Sequence, residues 1–365
     1  MKITMITCIS TLAGLGRTYA DCIPSRQRDA PGVGIDLTMA YVAVAIHFEN
    51  GTTVDIARID GSSEYLGAMR SLAEDARQFD GLGPRMDCTH EPTQTFYPPL
   101  FMMEWWRAIR AWFHTDTNPP SDPYQPDRWV DTIADTLSSI KSDILDTLDL
   151  PVSDRVFTTW PDFEAGTGSL YRVRFRLACH RAGLDHLDGE IASYHALGYD
   201  GILVEDDQDE DGVPAGPRAM LVISYSAASL GVTLNIRDGG IVWPRRLVEN
   251  PELGAARNSD ATYWGSVKLL LEEVVQDEPV DHILLLGPQA YDAGLIRAVL
   301  EVVDQHENIN SSVLERYRGA DLDMRDEDLP VFMAARQAAA VARDIITARS
   351  CVVDEKATSE VHSEL

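Results

Sequence analysis

The sequence predicts an α/β protein built as two similar lobes around a central cleft. A triplet of strands followed by helices begins near residue 33, and the same order begins again near residue 219. At 365 residues the chain is also longer than the roughly 250–300 at which a single hydrophobic core stops growing. The implied boundaries are an N-terminal extension or signal peptide over 1–30, a first lobe over 31–200, a second over 201–350 and a polar tail over 351–365.

The elements follow from residue patterns. Residues 33–37, 41–48 and 54–59 read as successive strands, with Asn50-Gly51 as the hairpin turn between the second and third. Helical periodicity covers 63–78. The stretch 85–129 is rich in proline and aromatics, as in Phe96-Tyr97-Pro98-Pro99 and Glu104-Trp105-Trp106-Arg107. It reads as a subdomain with its own small core, or in a sharper alternative as a ligand groove. An amphipathic helix spans 127–148, a strand runs from 156 to Pro161, and a helix over 170–182 is stopped by Gly183. Short strands at 202–204 and 219–225 bracket an acidic loop, and 229–236 leads into the turn Asp238-Gly239-Gly240. A helix over 260–275, a strand over 282–286 and helices over 290–306 and 329–348 complete the second lobe.

Charge narrows the function classes. The net charge of −27, from 58 acidic against 31 basic residues, repels nucleic-acid phosphates and argues against that partner. The excess concentrates in Glu205-Asp206-Asp207-Gln208-Asp209-Glu210-Asp211 and in the tail, which read first as solvated segments and second as cation or partner sites. Lysine occurs only at Lys2, Lys141, Lys268 and Lys356, so a lysine on transferring phosphates has few candidates. Cys8, Cys22, Cys88, Cys179 and Cys351 lack metal-type spacing. No run reaches the ~18–20 apolar residues of a membrane span. The basic start at Lys2, the apolar stretch to Ile9 and Thr18-Tyr19-Ala20 fit a cleaved signal over 1–20, while Arg17 and the interspersed threonines fit a cytoplasmic chain equally well.

The segment Ile35-Asp36-Leu37-Thr38-Met39-Ala40-Tyr41 places one aspartate on a buried strand before a tight turn. Ser224-Tyr225-Ser226-Ala227-Ala228-Ser229-Leu230-Gly231-Val232-Thr233 follows in the second half, with no aspartate in it. Between them, Leu177-Ala178-Cys179-His180-Arg181-Ala182-Gly183-Leu184 ends a helix, and the Glu190–Tyr199 stretch is an acidic connection. Leu286-Gly287-Pro288-Gln289 closes a strand, and Val331 to Ala339 forms a helix with a small-residue face, Met333 standing within it. In this order, over residues 32–348, the pieces resemble the nucleotide-binding domain of the seventy-kilodalton heat-shock chaperones, in the actin-like ATPase superfamily. The family motifs are I-D-L-G-T-T-Y, A-G-L with E-P-T-A-A-A, D-L-G-G-G-T-x-D-V-S, V-G-G-S and A-Y-G-A-A.

That resemblance implies a duplicated actin-like, ribonuclease-H-like fold without the chaperones' substrate-binding domain. It also implies ATP or ADP with Mg²⁺ as cofactors. Asp36 would be the metal-binding and catalytic acid, with Glu190 as a second acid. Thr38, Tyr41, Ser226, Ser229 and Gly287 would contact the nucleotide. The chemical signatures depart from the family pattern. The glycine and both threonines of the first motif are gone, as are both aspartates and the three central glycines of the second. A Cβ at a left-handed position costs roughly 1–2 kcal/mol and crowds a phosphate. No lysine lies between Lys2 and Lys141, leaving Arg85 or Arg107 to replace the family's phosphate lysine. Asp36 also has a purely structural reading, as an acid capping its turn. Phosphoryl transfer needs positioned metal, water and charge. The expected function is therefore a weak or inactive ATPase acting as a binding or regulatory module with an unidentified protein partner. The alternatives are an active Mg-ATP-dependent chaperone ATPase and a small-molecule kinase. His180 and His186 are expected to be exposed or capping at a helix end.

Overall fold

The computed structural model describes residues 29–80, 128–145, 148, 155–161, 168–199, 218–238, 241–258, 262–276, 278–306, 309 and 329–348. These form two mixed sheets with helices, an α/β architecture. The first sheet has the order β3-β2-β1-β4-β5, from β1 (Gly32–Leu37), β2 (Tyr41–His47), β3 (Thr53–Asp60), β4 (Arg155–Trp160) and β5 (Asp185–Ile191). The second has the order β8-β7-β6-β9, from β6 (Arg218–Tyr225), β7 (Leu230–Asp238), β8 (Ile241–Asn250) and β9 (Val280–Leu286). In each, an antiparallel three-strand meander is followed by a strand parallel to its first member. The two sheets thus share order and direction over four strands.

Strand alternation decides what each face meets. Val33, Ile35 and Leu37 of β1 point into a core with Tyr65, Met69 and Leu72 of α1 (Ser63–Asp80). The same core takes Ile133 and Leu137 of α2 (Arg128–Ile140) and Phe175 of α3 (Gly168–Arg181). The other face of β1, Gly32, Gly34 and Asp36, looks the opposite way. There α7 (Leu329–Ala348) lies with its backbone on the strand. A Cβ on Gly34 would stand 2.1 Å from the Ala335 carbonyl oxygen and 2.3 Å from the Ala339 nitrogen. The alanine face of α7 and the two glycines are one packing device, the absence of side chains allowing helix and strand to touch.

In the second sheet, Leu221 and Ile223 of β6 face α5 (Tyr263–Val275) and α6 (Ala293–Gln305). Met220 and Val222 face the opposite way, toward Ala196 and Leu197 of α4 (Ala192–Tyr199) and Met333 of α7. Helices α4 and α7 therefore sit where the inner faces of both sheets meet. Each fully buried apolar side chain there contributes about 1.5–3 kcal/mol relative to exposure.

Local signals explain most boundaries. Ser62 Oγ accepts from Tyr65 N–H at 3.2 Å to open α1. Asp292 accepts from Gly294 and Leu295 N–H groups to open α6 three residues later than periodicity suggested. Gly183, at φ 71°, ends α3, and Lys141 Nζ donates to its carbonyl at 2.7 Å. The helix expected over 127–148 is α-helical only to Ile140, then makes one π turn over Lys141–Leu145. Strands β5 and β8 were not anticipated by residue range. His186 lies on β5 with Nε2 2.8 Å from Thr158 Oγ1, so it is a cross-strand partner and not an exposed or capping residue. The expected strand at 202–204, the acidic loop, Arg85, Arg107, the aromatic stretch up to 127, the signal-like segment and the tail lie outside the described residues. Among those described, no helix is long and apolar enough to cross a membrane.

Candidate functional site

Strands β1 and β6 end alike. Asp36 and Ser224 are the penultimate residues of the two strands, each followed by a four-residue turn, Thr38–Tyr41 and Ser226–Ser229. The hydrogen bonding of the two turns is the same bond for bond. Thr38 N–H donates to the Tyr41 carbonyl at 2.9 Å, and Ser226 N–H to the Ser229 carbonyl at 3.0 Å. Thr38 Oγ1 accepts from the N–H groups of Ala40 (3.2 Å) and Tyr41 (2.9 Å). Ser226 Oγ accepts from those of Ala228 (3.3 Å) and Ser229 (3.2 Å). In each turn a hydroxyl at the first position satisfies the amides at the third and fourth, as short hydroxyl side chains commonly do.

Both turns are held from behind. Tyr65 O–H donates to the Thr38 carbonyl at 2.7 Å. Ala255 and Ala256 N–H groups donate to the carbonyls of Ser226 and Ala227 at 2.9 and 3.2 Å. A Cβ on Gly254 would fall 2.4 Å from the Ala227 carbonyl oxygen, so that position needs glycine. Gly287, at φ 90°, lies on the second-sheet side, and its N–H donates to the Pro330 carbonyl at 3.0 Å.

Beneath the turns a cavity of about 40 Å³ is lined by residues of both sheets, Asp36, Thr38, Tyr41, Ser226, Ser229 and Glu249 standing among apolar neighbours such as Leu37, Val222 and Leu286. Asp36 is buried and accepts from Thr159 Oγ1 at 2.6 Å across the β1–β4 pair. Burial first, and then the Asp36 charge, push the phenols of Tyr41 and Tyr65 well above the ordinary tyrosine range. Glu249 was not foreseen. It sits on β8 opposite Gly231, and a Cβ on Gly231 would stand 2.4 Å from its Oε2. The missing side chain at 231 is thus what admits the Glu249 carboxylate to the cavity. Glu190 lies on β5 opposite Thr159 in register. Asp36, Thr38, Tyr41, Ser226 and Ser229 converge on this cavity, and Gly287 follows Leu286, which also lines it.

Above the turns lies a larger cavity of about 450 Å³. The turn tips Met39, Ala40, Ala227 and Ala228 form one side, and Pro288 and Gln289 another. Arg58, Arg70 and Arg257 also line it, against the single acid Asp60. Sequence reading passed over all three arginines, because β3, α1 and the 3₁₀ turn Ala255–Arg257 carry no motif.

Among the described residues no group of three or more His, Cys, Asp or Glu converges as a metal cluster. A hard cation in the lower cavity would draw on Asp36, Glu249, the hydroxyls and water, an oxygen set of the kind Mg²⁺ accepts. No protein-family model matches the sequence, and no curated protein matches it significantly.

Proposed function

We propose that this protein is a divergent, chaperone-like member of the actin-like superfamily that serves as a binding or regulatory module with weak or no ATPase activity. The duplicated actin-like fold is part of the same proposal. It is supported by the shared order and direction of the two sheets and by the bond-for-bond match of the two turns.

One observation carries the functional half. A phosphate cradle needs backbone N–H groups aimed at the anion. Here the amides of Ala40, Tyr41, Ala228 and Ser229 already donate to Thr38 Oγ1 and Ser226 Oγ. Each bond given up to a phosphate forfeits about 1 kcal/mol before any gain. The space below the turns, about 40 Å³, holds a few waters or an ion and not a phosphate chain. The turns as they stand do not fit a triphosphate, and no catalytic step is derived through one. The partner of such a module is another protein.

Calorimetry with ATP and with ADP, each with and without Mg²⁺, tests the reading. The expected result is no Mg²⁺-dependent binding for the native chain. Replacing Thr38 and Ser226 together by glycine should free the four amides and raise nucleotide affinity at least tenfold. Micromolar, Mg²⁺-dependent binding by the native chain, lost in Asp36→Ala and accompanied by hydrolysis, would sink the proposal. It would favour an active ATPase, the reading that the pair of cavity carboxylates, Asp36 and Glu249, supports.

A further inference from the structure

The hairpin between β2 and β3 carries a motif that the proposed function leaves unused. Its tip reads Asn50-Gly51-Thr52, an Asn-x-Thr acceptor triplet with no proline in the middle. Such a triplet recurs by chance, so what decides is how the fold presents it. All three residues are exposed, and Gly51 takes φ 81°, the left-handed conformation that glycine permits in a tight turn. A Cβ built on Gly51 would meet nothing within 4 Å, so the tip stands clear of the described residues around it.

The hydrogen bonds at the tip leave its two functional groups available. Asn50 Oδ1 accepts from the Thr52 N–H at 2.9 Å, which turns the amide side chain back toward the threonine. Asn50 Nδ2 and Thr52 Oγ1 make no hydrogen bond among the described residues. An Asn-Gly pair also invites spontaneous deamidation, in which the glycine nitrogen attacks the side-chain carbonyl carbon of asparagine. Here the Gly51 N–H donates to the Phe48 carbonyl at 3.0 Å, and the Phe48 N–H to the Thr52 carbonyl at 2.9 Å. The nitrogen needed for that attack is engaged elsewhere, and the amide of Asn50 stays intact for another reaction.

We propose that Asn50 is an N-glycosylation site, with a lipid-pyrophosphate-linked oligosaccharide of the secretory pathway as the donor. In the transfer, Asn50 Nδ2 forms a bond to the anomeric carbon of the first sugar and gives up one proton. The bond from that carbon to the pyrophosphate oxygen breaks, and the lipid pyrophosphate leaves with the electron pair. Thr52 Oγ1 is the group by which the transferring enzyme reads the triplet. The turn is built from neighbouring residues alone, so an emerging chain can form it before either sheet is complete. The basic start at Lys2, the apolar stretch to Ile9 and Thr18-Tyr19-Ala20 supply the signal that such a chain needs. The hairpin lies at the far end of β2 from the turn Thr38–Tyr41, about 20 Å away at ~3.3 Å per residue. A bulky, hydrophilic glycan is thereby anchored away from the cleft and both of its cavities.

The test is production of the full chain, with its own N-terminus, in a eukaryotic secretory host, followed by peptide mapping. The expected result is a glycopeptide containing Asn50 whose glycan is released by peptide-N-glycosidase. Release in heavy-oxygen water should leave an isotope-labelled aspartate in place of Asn50. The glycan should be lost in Asn50→Gln and in Thr52→Ala, and kept at reduced occupancy in Thr52→Ser, which retains the hydroxyl. An unmodified Asn50, or a glycan confined to the second triplet, Asn310-Ser311-Ser312, would overturn the assignment. So would unlabelled aspartate formed at this position without the enzyme, or a chain that never enters the secretory pathway.

Discussion

Single side chains in this protein are tuned by where the backbone delivers them. His195 on α4 is the sharpest case. It is buried, and neither ring nitrogen has a hydrogen-bond partner among the described residues. Its neighbours are the rings of Phe157 and Tyr194, at 4.9 and 5.4 Å. Burial pulls its pKa down to about 4, with the Asp188 charge opposing. The sign of the linkage is definite. The unfolded chain binds a proton at this residue near pH 6.5, whereas the folded chain takes none until about pH 4. Stability therefore falls as pH is lowered through that window, by about 3 kcal/mol from this group. Urea unfolding of the native chain and of His195→Leu at several pH values checks it. The leucine variant should lose up to one proton's worth of pH slope between pH 6.5 and 4. Equal slopes in the two proteins would refute the assignment. Asp36 shows the same logic from the other side: strand alternation alone puts a carboxylate on the face of β1 that meets the cleft, and Thr159 supplies a donor.

At the scale of elements, the terminal helix α7 depends on a buried polar anchor as well as on its alanine face. Arg336 donates from Nε and Nη2 to the two oxygens of Asp55 on β3, at 2.7 and 2.5 Å, and from Nη1 to Tyr199 O–H on α4 at 3.0 Å. The Arg336 and Asp55 side chains are only 14% and 20% exposed, so removing one partner strands a charge. A double-mutant cycle of Arg336→Leu and Asp55→Leu should give a coupling energy of about 1–3 kcal/mol, the double variant being more stable than Asp55→Leu alone. Additive effects would show the pair to be ornamental. Elements differ in how much of them the sequence discloses. β1, β2, β6 and α7 have clean periods and short-range stop signals, and their observed ends fall within a residue or two of those expected. β8 escaped because Pro244 and Arg245-Arg246 interrupt its apolar pattern. Position explains the tolerance: β8 is an edge strand, and the register shifts between Leu234 and Asn235, just where Pro244 pairs. With no range assigned to β8, Glu249 was unseen too. The match between the turns was not legible in the sequence, since serine and threonine at the first position do not disclose whether their hydroxyls face a ligand or their own backbone.

At the scale of the whole molecule, the placement of α4 and α7 ties the two sheets into one cooperative structure. Ala335 and Ala339 of α7 pack with Tyr41, Ala43 and Ala45 of the first sheet, while Met333 packs with Met220, Leu284 and Leu286 of the second. Ser193 and Asn235 add a polar tie at 3.3 Å between α4 and β7. A defect on one sheet should therefore be felt on the other. Gly34→Ala is a clean probe, because its new Cβ meets only backbone of α7, which cannot rotate away as a side chain would. The overpacking cost is about 3 kcal/mol. If α7 is displaced, Met333 leaves the second-sheet core with it. Amide hydrogen exchange followed by mass spectrometry distinguishes the outcomes. Shared cooperativity requires protection in β6, on the far sheet, to fall by about the same factor as in β4, next to the substituted strand. Retained protection in β6 with loss confined to β1, β2 and β4 would mean that the sheets unfold separately. The cleft would then be a contact between two independent bodies, and the shared helices would not be what makes it rigid.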